Sequence, residues 1–170
     1  MKPSPKSILL IVLFALFSSS PALAQRYQVD QVVSADSLKV DSGGKKLIVR
    51  LAGIDAPKGP TNQSDPGQPF YKKAMSHLAG LVQYKTVYVK SYGSDESGRL
   101  LAEVFVRDRN INVEMLKAGF AEVYRGEQPK GLDLELYRKA EKEAKAANRG
   151  MWIQGAQYVS PWDWRGTHPK

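Results

Sequence analysis

Apolar and polar residues recur along this chain with two different periods. In "YQVDQVVSA" (27–35), Val29, Val32 and Val33 stand among polar residues and predict a strand. "DSLKVD" (36–41) alternates, with Leu38 and Val40 on one face. "SGG" (42–44) is a turn signal, and "KKLIVRLAGID" (45–55) predicts a further strand. It sets Leu47, Val49 and Leu51 on one face and Ile48, Arg50 and Ala52 on the other. Residues 58–69 are rich in Gly, Pro and polar side chains and read as a loop. The period then lengthens: "FYKKAMSHLAGLVQ" (70–83) places Phe70, Ala74, Leu78 and Leu81 at helical spacing. Strand alternation returns in "KTVYVKSY" (85–92) and "LLAEVFV" (100–106), separated by the loop 93–99. A tight turn, "RDRN", leads into a short helix within 111–124 that stops at Gly119. The clearest helix lies in 132–150, with Leu132, Leu136, Ala140, Ala144 and Ala147 as its stripe and Gly150 as its C-cap. The tail, 160–170, reads as irregular and carries two tryptophans.

Five short strands, a helix between the third and fourth, and two later helices make an α+β chain. This is the order of an OB-fold, a five-stranded Greek-key barrel, here with three helices. A generic α+β sandwich fits the same order.

The first 24 residues change the picture of where the chain works. Lys2 and Lys6 precede an apolar run, Ile8 to Phe17, and Ala22-Leu23-Ala24 offers a small-residue cleavage signal. The run is shorter than the ~20 residues a membrane span needs. A signal peptide, 1–24, and a mature domain, 25–170, are therefore expected, with the product secreted or periplasmic. Losing Lys2 and Lys6 leaves +6 of the chain's +8. A basic exported domain suits a polyanionic partner such as nucleic acid. There is no cysteine, which excludes disulfides and thiolate chemistry.

Candidate chemistry gathers around one hairpin. If Gly43-Gly44 forms its turn, Ser42 faces Lys45, and Asp36 falls opposite Leu51 and diagonal to Arg50. Asp55 ends the same ribbon. Two carboxylates with carbonyls and water suit a hard cation such as Ca²⁺. Arg50, with Arg99 after the loop "SDESG", suits a phosphate, because the guanidinium fork grips two oxygens. Cations aimed at a phosphodiester transition state stabilise its extra negative charge. The bland alternative is a set of surface ion pairs.

From about Tyr27 to Trp164 the chain resembles the thermonuclease, or staphylococcal-nuclease-like, family. The resemblance is carried by "VVSADSLKV", "VRLAGIDAP", "GQPFYKKA", "DESGRLLAEVFV", "NVEMLKAGFAEVY", "EAKAANRGMW" and "PWDWR", in family order. It implies an OB-fold and a Ca²⁺-dependent phosphodiesterase of DNA and RNA. It further implies Asp36 and Asp55 as metal ligands with the Ala56 carbonyl, Arg50 and Arg99 as clamps, and Tyr124 at the nucleotide site. Three positions depart from the family pattern. Lys58 stands where the water-activating glutamate is usual, Ser34 replaces the first acid of the D-G-D motif, and Ser97 replaces a tyrosine. A charged lysine cannot accept a proton and repels Ca²⁺. Weak Ca²⁺ binding and reduced or altered activity are the expectation, with Glu122 and Asp65 as candidate replacement bases.

Other residues have ordinary readings. His77 lacks a partner at ligand spacing, Trp162 and Trp164 favour packing over base stacking, and "RKAEKEAKAANR" is a solvated helix face. Asn62-Gln63-Ser64 is a glycosylation sequon only in a eukaryotic secretory pathway. Two functions remain in play. One is an exported monomeric nuclease acting on nucleic acid, single strands favoured. The other is a non-catalytic OB-fold module that binds a polyanion.

Overall fold

In a computed structural model the described residues are 25–168, so the expected signal peptide lies outside them. Strand β1 (Gln25–Ser34) buries Tyr27, Val29 and Val32. Val29 and Val32 are three apart yet both point inward, because the pairing register with the next strand slips between Val29 and Gln31. A bulge of this kind adds a residue and restores the inward phase. Strands β2 (Ser37–Ser42) and β3 (Lys45–Leu51) form the expected hairpin, with Ser42 opposite Lys45 and Ser37 opposite Arg50. The main chain of Leu51 donates to the carbonyl of Asp36 at 2.9 Å, continuing that register.

A two-residue strand, β4 (Ile54–Asp55), follows, then helix α1 (Tyr71–Val82) and strands β5 (Thr86–Ser94) and β6 (Leu100–Val106). The strand order is β3-β2-β1-β5-β6, and a parallel pairing of β3 with β6 closes the barrel. This is the expected OB-type barrel, with α1 between its third and fourth long strands. A short strand, β7 (Arg109–Asn110), extends β6. Leu38, Val40, Val49, Leu51, Val87, Val89, Ala102 and Val104 fill the interior. Each valine or leucine among them, fully buried, contributes about 1.5–3 kcal/mol.

Helix α2 (Ile111–Lys117) begins at Asn110, whose side chain accepts from the Val113 main chain. It carries the buried Asn112, which ties the end of β3 to β6. Asn112 accepts from the Val104 main chain at 3.1 Å and donates to the carbonyls of Ala52 at 2.9 Å and Ala102 at 3.1 Å. Strand β8 (Glu122–Val123) then pairs with β4, opposing Glu122 to Asp55. The turn into β4 passes under α3 (Leu134–Ala146) at Gly53, whose φ is 73°. A Cβ there would strike Leu132 and Tyr137, so glycine is required on both counts.

Three expectations are corrected. The buried stripe of α3 is Tyr137, Ala140 and Ala144; Leu136 and Ala147 face solvent, because an aromatic rather than the nearest leucine fills the space beside Glu103. The helix ends at Ala146, with Ala147 rather than Gly150 at the cap. The tail is also not irregular throughout. A 3₁₀ segment (Gly150–Gln157) leads to helix α4 (Pro161–Thr167), giving a fourth helix. Among the described residues no helix is long and apolar enough to cross a membrane.

Candidate active site

The hairpin places Asp36 just before β2, and the β4–β8 pair places Asp55 beside it. Both are almost fully buried. Ser34 and Ser37 donate their hydroxyls to Asp36 Oδ1 at 2.7 and 3.0 Å. The serine in the family's acid position is thus a hydrogen-bond donor to the neighbouring carboxylate.

Lys58 occupies the space between the two acids. Its Nζ lies 2.9 Å from Asp36 Oδ2 and 2.7 Å from Asp55 Oδ1. Asp55 Oδ1 also accepts from Arg165 Nη1 at 2.8 Å. Burial pushes the Asp36 carboxyl up, but the Lys58 charge, its hydrogen bond and the Ser34 hydroxyl outweigh that and hold it well below the usual carboxylate range. Burial likewise pushes the Lys58 ammonium down, and the charges of Asp36 and Asp55 overcome it, so its pKa is raised. The group is a committed cation.

The two arginines meet at an acid the sequence reading did not single out. Asp95 accepts from Arg99 Nε at 2.8 Å and lies 2.7 Å from its Nη2, while Arg50 Nη1 is 3.8 Å away. Arg50 also lies over the Tyr124 ring at 5.2 Å. A cavity of about 700 Å³ opens over these groups. Asp36, Arg50, Lys58, Arg99 and Arg165 supply its charge, and Tyr71, Tyr124, Trp162, Trp164 and His168 supply its aromatic wall. Tyr124 and Trp162 pack with centroids 5.8 Å apart, and Trp164 stacks on His168 at 3.9 Å. Trp162 remains 42% exposed, so it is a cavity wall rather than the packing residue expected.

The candidate replacement bases lie elsewhere. Glu122 is buried beneath the site and is not among the residues lining the cavity. It accepts from the Tyr158 hydroxyl at 2.7 Å, and burial raises its pKa despite that bond and the nearby Arg125. Asp65 caps its own loop, accepting from the Thr61 main chain and hydroxyl and from the Gly67 main chain. His77 sits in a separate shallow depression beside Phe120, Lys72 and Lys73.

The donor set does not fit Ca²⁺ as it stands. Asp36 and Asp55 come together as expected, but around an ammonium group, and Ala56 lies fully buried behind them. Ca²⁺ takes six to eight oxygens at about 2.3–2.6 Å. Of the four carboxylate oxygens, Asp55 Oδ2 alone has no partner among the described residues. Among the described residues no cluster of three or more His, Cys, Asp or Glu side chains could hold a metal.

The model of the staphylococcal nuclease homologues matches residues 48–154, from the middle of β3 through β5, β6 and α3 to the 3₁₀ segment. The chain belongs to the staphylococcal nuclease homologue family. Relatives include proteins named "Probable endonuclease LCL3". That of Sclerotinia sclerotiorum is 38% identical over 74% of this chain and 50% of its own length. Those of Verticillium alfalfae and Candida dubliniensis are 35% and 34% identical, over 72% and 75% of this chain and 45% and 57% of theirs. The chain spans about half the length of the curated relatives it matches. Within the family frame, sequence reasoning missed Arg165 and the helix that carries it, and assigned Trp162 and Trp164 to packing. The signal was present: Ser160-Pro161-Trp162-Asp163 has an N-cap serine, proline at N1 and an acid at N3.

Proposed function

We propose that this domain is an exported nuclease-type phosphodiesterase that takes single-stranded nucleic acid into the cavity above Asp36, at a rate reduced from that of a site with a dedicated base. The single observation that carries the reading is the cavity itself. It joins two arginines, positioned together on Asp95, to a wall of aromatic rings. Guanidinium groups recognise phosphate oxygens, and exposed rings stack on unpaired bases. A base pair offers no free face to such a wall. Arg50 and Arg99 are the groups that meet phosphate charge, and a donor aimed at transition-state charge contributes about 10²–10³-fold.

The rate should be low for a stated reason. Among the described residues Asp36 is the sole carboxylate lining the cavity, and both its oxygens already accept hydrogen bonds, Oδ1 from Ser34 and Ser37 and Oδ2 from Lys58. A positioned general base is worth roughly 10²–10⁴-fold, and among the described residues no unpaired carboxylate in the cavity supplies one. The same fact favours a second reading, a binding module without catalysis. Cleavage of labelled single-stranded and duplex oligonucleotides decides between them. We expect slow cleavage of the single strand, reduced at least about tenfold in Arg50→Ala and in Arg99→Ala while affinity falls much less. Tight binding with no cleavage in any preparation would leave the module. Equal losses of rate and affinity would make the arginines binding residues alone.

A further inference from the structure

We infer that the Lys58 ammonium is the resident cation of this site. It takes the place between Asp36 and Asp55 that a divalent ion would need, so the domain engages phosphate without Ca²⁺. The inference rests on reading the cavity as the phosphate site, but its metal half stands on the lysine's own contacts.

Lys58 is built into this position. Its main-chain N–H donates to Gln68 Oε1 at 2.9 Å, and its carbonyl accepts from the Gln68 main chain at 2.8 Å. Gln68, itself buried, donates its side-chain amide to the Val159 carbonyl at 2.8 Å, just before α4. The next residue, Gly59, packs so closely on the Tyr71 ring that a Cβ would collide. The loop therefore fixes the lysine backbone, and the side chain bridges acids from two different elements.

Charge leads to the same conclusion. Lys58 and Arg165 already neutralise the two carboxylates, and the charge of Arg50 also reaches Asp36. An arriving dication would meet no net negative charge and would have to displace a tethered ammonium. An ammonium has three N–H donors. Two point at the acids, and Lys58, about one-quarter exposed, lines the cavity with the third, unpartnered among the described residues, open to a phosphate oxygen.

The test is metal binding and oligonucleotide affinity, neither of which needs cleavage. Ca²⁺ is titrated calorimetrically into the wild type, Lys58→Gln and Lys58→Gln/Asp36→Asn, with thermal unfolding in Ca²⁺ and in EDTA. The wild type should give no binding heat and no melting shift, and its affinity for a single-stranded oligonucleotide should be equal in Ca²⁺ and in EDTA. Lys58→Gln should gain one Ca²⁺ per chain, at least about tenfold tighter than wild type, with a raised melting temperature in Ca²⁺. The double variant should lose that gain. Lys58→Gln should also bind the oligonucleotide more weakly in EDTA. One Ca²⁺ bound by the wild type and lost in Asp36→Asn would overturn the inference, as would a folded Lys58→Gln that binds none. If Lys58→Gln does not fold, the wild-type and Asp36→Asn measurements decide alone. Absence of cleavage would sink the nuclease reading and leave these results untouched.

Discussion

Asp36 is held ionised against its own burial, and that has a measurable cost in acid. Its folded pKa is lowered from the ordinary 3.8. A depressed carboxylate contributes stability above its unfolded pKa and loses it as pH falls through the folded value. Asp36→Asn removes the charge but keeps the shape and leaves Lys58 paired with Asp55. The expected cost at neutral pH is roughly 2–3 kcal/mol, below the ~3–5 kcal/mol of a fully buried pair broken outright. The gap to wild type should shrink steadily between about pH 5 and pH 2. Urea unfolding of both proteins across that range checks it, and a gap independent of pH would show that the Asp36 charge is not what stabilises the fold. Hairpin spacing alone put Asp36, Arg50 and Asp55 at one edge, and Arg99 stood out after its Gly-containing loop, whereas Tyr124 came only from the family resemblance. The Lys58 contact was not legible in the sequence. It depends on where a twelve-residue loop sends a long side chain, and on Gln68, whose side chain bonds partners ten and 91 residues away.

The hairpin and the last helix show the two ends of what elements reveal. The β2–β3 register followed from one two-residue turn and one hydrophobic face, since a slip by one would have turned Val49 and Leu51 outward. Helix α4 is seven residues long and holds one buried residue, Pro161, so no apolar periodicity marks it. Its order comes from the Ser160 cap, which accepts from the Asp163 main chain at 3.0 Å, and from Arg165 on Asp55. This helix supplies two rings of the aromatic wall, Trp162 and Trp164, and that makes a prediction at the element's own scale. Trp162→Ala should weaken single-stranded oligonucleotide binding by about 1–3 kcal/mol, the worth of one stacked base. Its effect on melting should be small, because the ring is 42% exposed. Duplex affinity should hardly change. Filter binding with matched single-stranded and duplex probes separates the outcomes, and an equal loss on both would assign Trp162 to shape rather than stacking.

At the scale of the whole molecule the question is where its positive charge acts. The chain carries +8, and +6 in the mature form expected from cleavage after Ala24. Charge spread over a surface attracts any polyanion, whereas charge converging in one cavity reads phosphates at fixed places. The cavity offers Arg50 and Arg99, half committed to one acid, and the free N–H of Lys58. If each meets one phosphate of a single strand, log K should fall against log[salt] with a slope of about −2, at roughly −0.7 per phosphate. Arg50→Ala should then flatten the slope by about 0.7, and Lys58→Gln by a similar step. Fluorescence titrations of a labelled oligonucleotide at several salt concentrations give the slope directly. A much steeper slope, unchanged in both variants, would place the strand on the outer basic surface instead. A shallow slope in wild type, with affinity lost in Trp162→Ala, would mean that stacking rather than charge holds the strand in the cavity.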